Sequence, residues 1–202
     1  MTNSRDVVTP GSVLHVVNRG NDRRAIFLED VDYGDFLVLL REARERFAVK
    51  LFAYCLMPNH FHLVVAPDDW CALSAYMHFV ERGRACDLRA IARTKGNGHV
   101  FQRRYWKKVI NGEEHLLCAL RYVEANAARA RLVERAESWE WGSLYERQTG
   151  ERDLLQRLPI RLPEDWSTIV NVPLQRVDLD DIRGRKKIGR PTKPADLRNS
   201  KK

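Results

Sequence analysis

The stretch that most constrains the fold is "VKLFAYCLMPNHFHLVVA", residues 49–66. It consists of two apolar runs separated only by Pro58-Asn59, a pair with turn chemistry. Two strands joined by so short a link must run antiparallel, because a parallel pair needs a crossover of a dozen residues or more. On a strand, residues i and i+2 point to one face, about 6.6 Å apart. His60 and His62 therefore share a face, while Phe61, Leu63 and Val65 point to the other, the expected core face. Two imidazoles converging from one strand can hold a metal ion with little reorganisation. They can equally be a hydrogen-bonded pair inside a sheet, and the His-x-His spacing by itself leaves both open.

The flanking segments supply the rest of a sheet and its helices. "VLHVVNRG", Val13 to Gly20, reads as a strand entering a turn. Phe36, Leu39, Leu40, Ala43 and Phe47 recur at helical spacing. A second helix is expected over about Ala72 to Ala92, with Leu73, Tyr76, Met77, Val80, Leu88 and Ile91 as its inner stripe. "TKGNGH" reads as a loop, "VFQRRYWKKVI" as a basic strand, and a third helix runs from Glu113 to about Val133. Strand, helix, strand, strand, helix, strand, helix predicts an α+β fold: a mainly antiparallel sheet with helices packed on it. After Trp139 the chain turns irregular. The expected organisation is one domain over residues 1–145, an irregular extension over 146–181 and a basic tail over 182–202.

The charge is concentrated in that tail. Of 35 Lys and Arg and 27 acids, the segment from Ile182 onward holds nine bases and one acid, Asp196, and accounts for the whole formal charge of +8. A basic tail on a neutral body suits a polyanion, or serves only solubility. Within it, Gly189-Arg190-Pro191 with Lys186, Lys187 and Lys193 around it is similar to the core of an AT-hook, and Arg190 is its candidate minor-groove residue. No run approaches the roughly 18 apolar residues of a membrane span. "MTNSRDVVTPGS" lacks the order of a signal peptide, so the expected location is the cytoplasm, at the nucleoid. Cys55, Cys71, Cys86 and Cys118 form no C-x-x-C pair and suit reduced thiols.

The third helix carries two stripes. Leu116, Leu120, Val123 and Ala127 form the apolar one; His115, Cys118, Tyr122, Asn126 and Arg129 form a polar one. Tyr122 and Asn126, four apart, are neighbours on the helix surface. They are either a core-boundary tyrosine with a late-helix asparagine, or a phenol and an amide set over the histidine pair. "QRRYWKK" interleaves cations with aromatics (Arg103, Arg104, Tyr105, Trp106, Lys107, Lys108), the composition of a surface that holds phosphates and stacks bases, or else of a charged edge strand. Arg19, Arg23 and Arg24 in "NRGNDRR" lie past the first strand as further candidate phosphate contacts; His15 in that strand reads as structural.

In order, "HVVNRGNDRRAIF", "YCLMPNHFHLVV", "FQRRYW" and "YVEANAARARLV" resemble the motifs of the REP-associated tyrosine transposases, within the single-tyrosine superfamily named HUH for His-hydrophobic-His. The resemblance covers Val13 to Tyr145 and implies a ferredoxin-like HUH endonuclease fold. It implies metal ligation by His60, His62 and Asn126, with Mg²⁺ or Mn²⁺ as the ion, and Tyr122 as a nucleophile toward single-stranded or hairpin DNA. Arg129 joins the DNA contacts. Relatives include monomers and dimers that exchange the tyrosine helix, so the oligomeric state stays open. Two departures stand out: Ala127 follows Asn126 where the family has proline, and Gly142 stands where it tends to have serine. Two other readings compete: a hairpin-binding protein without cleavage activity, and a zinc protein using His115 or Cys118 beside the histidine pair.

Overall fold

A computed structural model describes residues 9–91, 99–102, 104–174 and 182. The loop at "TKGNGH" up to residue 98, Arg103, and the basic tail with Arg190 lie outside the described residues. Four strands, β1 (Val13–Arg19), β2 (Val49–Met57), β3 (His60–Pro67) and β4 (Trp106–Ile110), form one sheet in the order β2-β3-β1-β4. Every neighbouring pair is antiparallel. The fold is the α+β arrangement that the hairpin and the element order predict. Met57 pairs with His60 across Pro58-Asn59.

Helices cover both faces of this sheet. Helices α1 (Asp30–Arg46) and α2 (Trp70–Ile91) pack on the face formed by Leu14, Val16, Leu51, Tyr54, Leu56, Phe61, Leu63 and Val65. Helix α3 (Glu113–Glu124) covers the other, with Leu116, Ala119, Leu120 and Val123 against Ala53, Cys55, Met57, Val64 and Ile110. A register shift between Leu51 and Ala53 lets Phe52 and Ala53 both join the α3 side. Such a bulge resets the alternation, which is how the continuous apolar run of β2 fills two cores. The histidine face of β3 is thus covered in its turn by α3. It is one end of a second core.

The third helix is shorter than its spacing predicts. It ends at Glu124, Ala125 stands at φ −78° and ψ −5°, and a separate turn, α4, spans Asn126–Arg129. At this break the Asn126 side-chain amide donates to the Tyr122 carbonyl at 2.9 Å, a local bond that competes with the helical ladder. Beyond Trp139 the chain carries two short helices, α5 (Ser143–Thr149) and α6 (Trp166–Asn171), and covers the β2 edge. Leu56 donates its N–H to Trp141, Gln156 donates its own to Leu51, and Trp139 Nε1 donates to the Leu56 carbonyl at 2.9 Å. Bonding to an edge strand gives this region the order that its composition does not advertise. Among the described residues, no helix is long and apolar enough to cross a membrane. All four cysteines are free.

Candidate active site

Sheet register decides which side chains meet under α3. His62 pairs with Val17, His60 with Arg19, and His15 with Val64. Directly opposed residues of an antiparallel pair point to one face, so His15, Arg19, His60 and His62 share the α3 side. On the far side of β1, Trp106 pairs with Val17 and Lys108 with His15, which adds both to the same face. The "QRRYWKK" segment is therefore not one surface. Trp106, 37% exposed, and Lys108 join the histidines. Tyr105 is only 8% exposed and packs into the α1/α2 core, so its ring is not presented for stacking, against the expectation. Arg104 and Lys107 lie instead over Trp70 of α2, at 4.8 and 4.7 Å from the ring centre.

The loop after β1 is held against the hairpin turn. Gly20 donates its N–H to Asn59, and Ile26 and Phe27 both donate to the Pro58 carbonyl. A Cβ on Gly20 would lie 2.3 Å from the Arg24 carbonyl oxygen, so only glycine fits this close approach. Asp22 and Arg23 adopt left-handed φ values of 51° and 60°, uncommon for residues with a side chain. The result sets Arg19 beside His60 and leaves Arg23 and Arg24 exposed near the turn.

The histidines form a chain. His60 Nδ1 lies 2.6 Å from Asn59 Oδ1, and His62 Nδ1 lies 2.9 Å from His15 Nε2. The His60 and His62 ring centres are 5.0 Å apart at 74°. Burial holds all three rings in the neutral form. It lowers His60 to about 4, with Arg19 adding to the effect, and His15 to about 3, with Lys108 and His115 adding. His62 falls well below the usual histidine range for the same reason, with His15 and His60 as further causes. Neutral imidazoles keep the lone pair that a metal ion needs.

Tyr122 reaches this cluster from α3. Its ring centre lies 5.6 Å from both His15 and His62, edge to face, and the Arg129 guanidinium sits 4.8 Å from the ring centre. Tyr122 is 5% exposed and Asn126 8%. Because the Asn126 amide nitrogen is committed to the Tyr122 carbonyl, its Oδ1 is the available donor atom, with Arg129 Nη1 at 3.5 Å. Among the described residues no three His, Cys, Asp or Glu side chains are grouped so as to hold an ion. An ion here would bind two imidazoles and an amide oxygen, and neither His115 nor Cys118 completes a zinc set. The fit is nonetheless good on another count. Both histidines engage Nδ1 elsewhere and keep Nε2 in hand, the arrangement usual for metal-ligating imidazoles.

Two residues here carry no sequence signal. His15, which reads as structural, touches His62, Tyr122 and Trp106. Its strand is legible, but the register that brings it to His62 is not. Glu124, at the end of α3, is buried and accepts from Ser143 Oγ at 2.7 Å, Arg147 Nε at 2.8 Å and Trp166 Nε1 at 2.6 Å. This carboxylate ties the end of the tyrosine helix to the C-terminal extension.

A buried phenol thus stands among imidazoles, an amide and a guanidinium on one face of an antiparallel sheet. The sequence profile described as "Transposase IS200 like" matches residues 10–126, more than half of the chain and including every group of this cluster from His15 to Asn126. The chain belongs to the IS200-like transposase family. It is 24% identical over 174 residues to a Haemophilus influenzae protein named "Putative REP-associated tyrosine transposase", covering 82% of this chain and 93% of that one. It shares its fold with the solved structure of a REP-associated tyrosine transposase bound to a REP hairpin. The TM-score is 0.60 at 13% identity, over 81% of this chain and 95% of the other.

Proposed function

We propose that the chain is a metal-dependent endonuclease and strand transferase that acts on single-stranded DNA at hairpins through Tyr122. The observation that carries this reading is the Tyr122 ring lying against both His62 and the Arg129 guanidinium. In the reaction the phenol oxygen attacks phosphorus and loses its proton to solvent. The bond from phosphorus to the 3′-oxygen breaks, and that oxygen leaves as a hydroxyl after taking up a proton. A 5′-phosphotyrosyl enzyme conserves the ester, so that attack by another 3′-hydroxyl rejoins the strand with no nucleotide cofactor. A phenol with an ordinary pKa of about 10 is a poor nucleophile at neutral pH. Arg129, against the ring, stabilises the developing negative charge. His60, His62 and the Asn126 oxygen would hold Mg²⁺ or Mn²⁺, which supplies Lewis-acid polarisation of the non-bridging phosphate oxygens. Arg19, Trp106 and Lys108, on the same face, bind and stack the strand next to the scissile phosphate, and Arg23 and Arg24 extend that surface along the loop. Arg104 and Lys107, across the β4 edge, meet DNA that wraps past it. Arg103 and Arg190 are further phosphate and minor-groove contacts on the sequence argument alone.

The burial of Tyr122 favours one competing reading, a hairpin-binding protein that does not cleave. The two separate in one experiment: wild type and Tyr122→Phe are incubated with labelled hairpin DNA carrying a single-stranded flank, with Mn²⁺ or Mg²⁺. A covalent adduct that needs the ion and vanishes in the variant supports the nuclease. Tight binding without adduct in either protein supports the binding-only reading, and the absence of both overturns the proposal.

A further inference from the structure

We propose that His15 is a positioning residue of the active site: it accepts the Nδ1 proton of His62 and so keeps the Nε2 lone pair of that ring available to an ion. This rests on the reading of His60 and His62 as metal ligands.

His60 provides the internal standard. Asn59 Nδ2 donates to the Arg23 carbonyl at 3.2 Å, which fixes the amide orientation and turns Oδ1 toward His60. An amide oxygen can only accept, so the proton of neutral His60 is on Nδ1 and Nε2 is free. His62 also has its Nδ1 engaged, at 2.9 Å, but the partner is another imidazole, which can give or take. If His15 donated, the proton of His62 would move to Nε2 and that nitrogen could not bind an ion. If His15 accepts, the two rings of the His-x-His pair stand in the same tautomer.

Acceptance is the role that a His62 bound to an ion through Nε2 requires of His15. The two ring planes lie within 13° of each other, which suits a bond in either direction. Once Nε2 accepts, the His15 proton belongs on Nδ1, a buried atom with no hydrogen-bond partner among the described residues. His15 is also 2% exposed, at a position enclosed by Trp106, Tyr122 and Val64 where an aliphatic residue would fill the space without leaving a polar nitrogen short of a partner. A ring kept there at that cost is explained by what it does to His62.

Two measurements test this. In nitrogen-15 spectra of the wild-type imidazoles, His60 and His62 should both carry the proton on Nδ1, and His15 should carry it on Nδ1 with Nε2 as acceptor. A His62 protonated on Nε2 overturns the proposal, and this readout needs no variant. The second measurement is direct Mn²⁺ binding, by titration of the free-ion resonance signal, to wild type, His15→Leu, His15→Gln and His60→Ala. His15→Leu should weaken Mn²⁺ by about 10–100-fold, the range for loss of an outer-shell partner, and His15→Gln should recover most of it, since its amide oxygen can still accept. His15→Leu binding as tightly as wild type overturns the role of His15 and leaves the metal site standing. Wild type taking up no Mn²⁺, or His60→Ala matching it, fails the metal site itself, and the proposal falls with it.

Discussion

The two faces of the sheet are both buried, yet they bury different things. Against α1 and α2 lie only apolar or aromatic side chains along the hairpin: Leu51, Tyr54, Leu56, Phe61, Leu63 and Val65. Against α3, Ala53, Cys55, Met57 and Val64 are joined by His15, His60 and His62. Burying imidazoles costs stability unless each is hydrogen-bonded. One face therefore shows what this sheet needs in order to fold, and the other shows what it carries in addition. Separating stability from activity by mutation is the natural way to break or sharpen that contrast.

The largest expected effect is on the α3 side. Tyr122→Phe keeps the ring that packs against His15 and His62 and removes only the oxygen. Covalent adduct formation should fall by ~10³-fold or more, as expected when the nucleophile itself is lost, while hairpin affinity and thermal stability stay near wild type. Next is a matched pair on neighbouring residues of β3. Phe61→Ala should cost about 3–5 kcal/mol in denaturant unfolding, with unchanged adduct yield per folded molecule. His62→Ala should show the reverse, with adduct lost and a smaller stability change. Should Phe61→Ala, folded at low temperature, fail to cleave while His62→Ala still cleaves, the division between the faces is wrong.

Glu124 ranks below these. Its two oxygens serve three donors. In Glu124→Gln either amide orientation turns an NH₂ against one or more of them. Unfolding free energy should drop by about 1–3 kcal/mol. Because Glu124 joins α3 to α5 and α6, the loss should also show as faster proteolysis of the C-terminal extension. An extension as resistant as in wild type would mean that its bonds to the β2 edge suffice without the carboxylate.

How much of this was readable in advance follows from the range of each interaction. The parity that separates His60 and His62 from Phe61, Leu63 and Val65 is local, and the sheet follows it. The alignment of Tyr122 with Asn126 is a property of helical spacing and also survived, even though the helix breaks at Ala125. What escaped depends on long-range placement. That α3 lies over the histidine face is one of the two placements its polar stripe allows, but the second core it closes there is not encoded in any short window. The register that brings His15 to His62 is set by the β1–β3 pairing, and Glu124 gains its role only from Ser143, Arg147 and Trp166 far along the chain. The division of "QRRYWKK" is a different lesson. Composition suggested one basic aromatic surface, but strand alternation sends Tyr105 and Lys107 to one side and Trp106 and Lys108 to the other. That parity was present in the spacing.

The smallest expected effect concerns the α1/α2 side, where a carboxyl on α2 qualifies the apolar description in addition to the buried Asp32–Arg84 pair. Glu81 of α2 accepts from Asn18 Nδ2 at 2.7 Å at the end of β1. Burial raises its pKa to about 7, against the opposing influence of the Asn18 bond and Arg104. In the unfolded chain the group titrates near 4.5. Between about 4.5 and about 7 the folded protein therefore binds more protons than the unfolded one, and stability falls as pH rises through that window. The contribution of protonated Glu81 is fully present below about 4.5 and is lost as pH passes about 7. Glu81→Gln keeps an oxygen to accept from Asn18 and cannot ionise. It should match wild type near pH 5 and melt higher than wild type at pH 8, a difference visible in paired thermal scans. Parallel pH profiles for the two proteins would mean that Glu81 reaches water well enough to ionise without penalty. The α1/α2 side would then be open to solvent at this point.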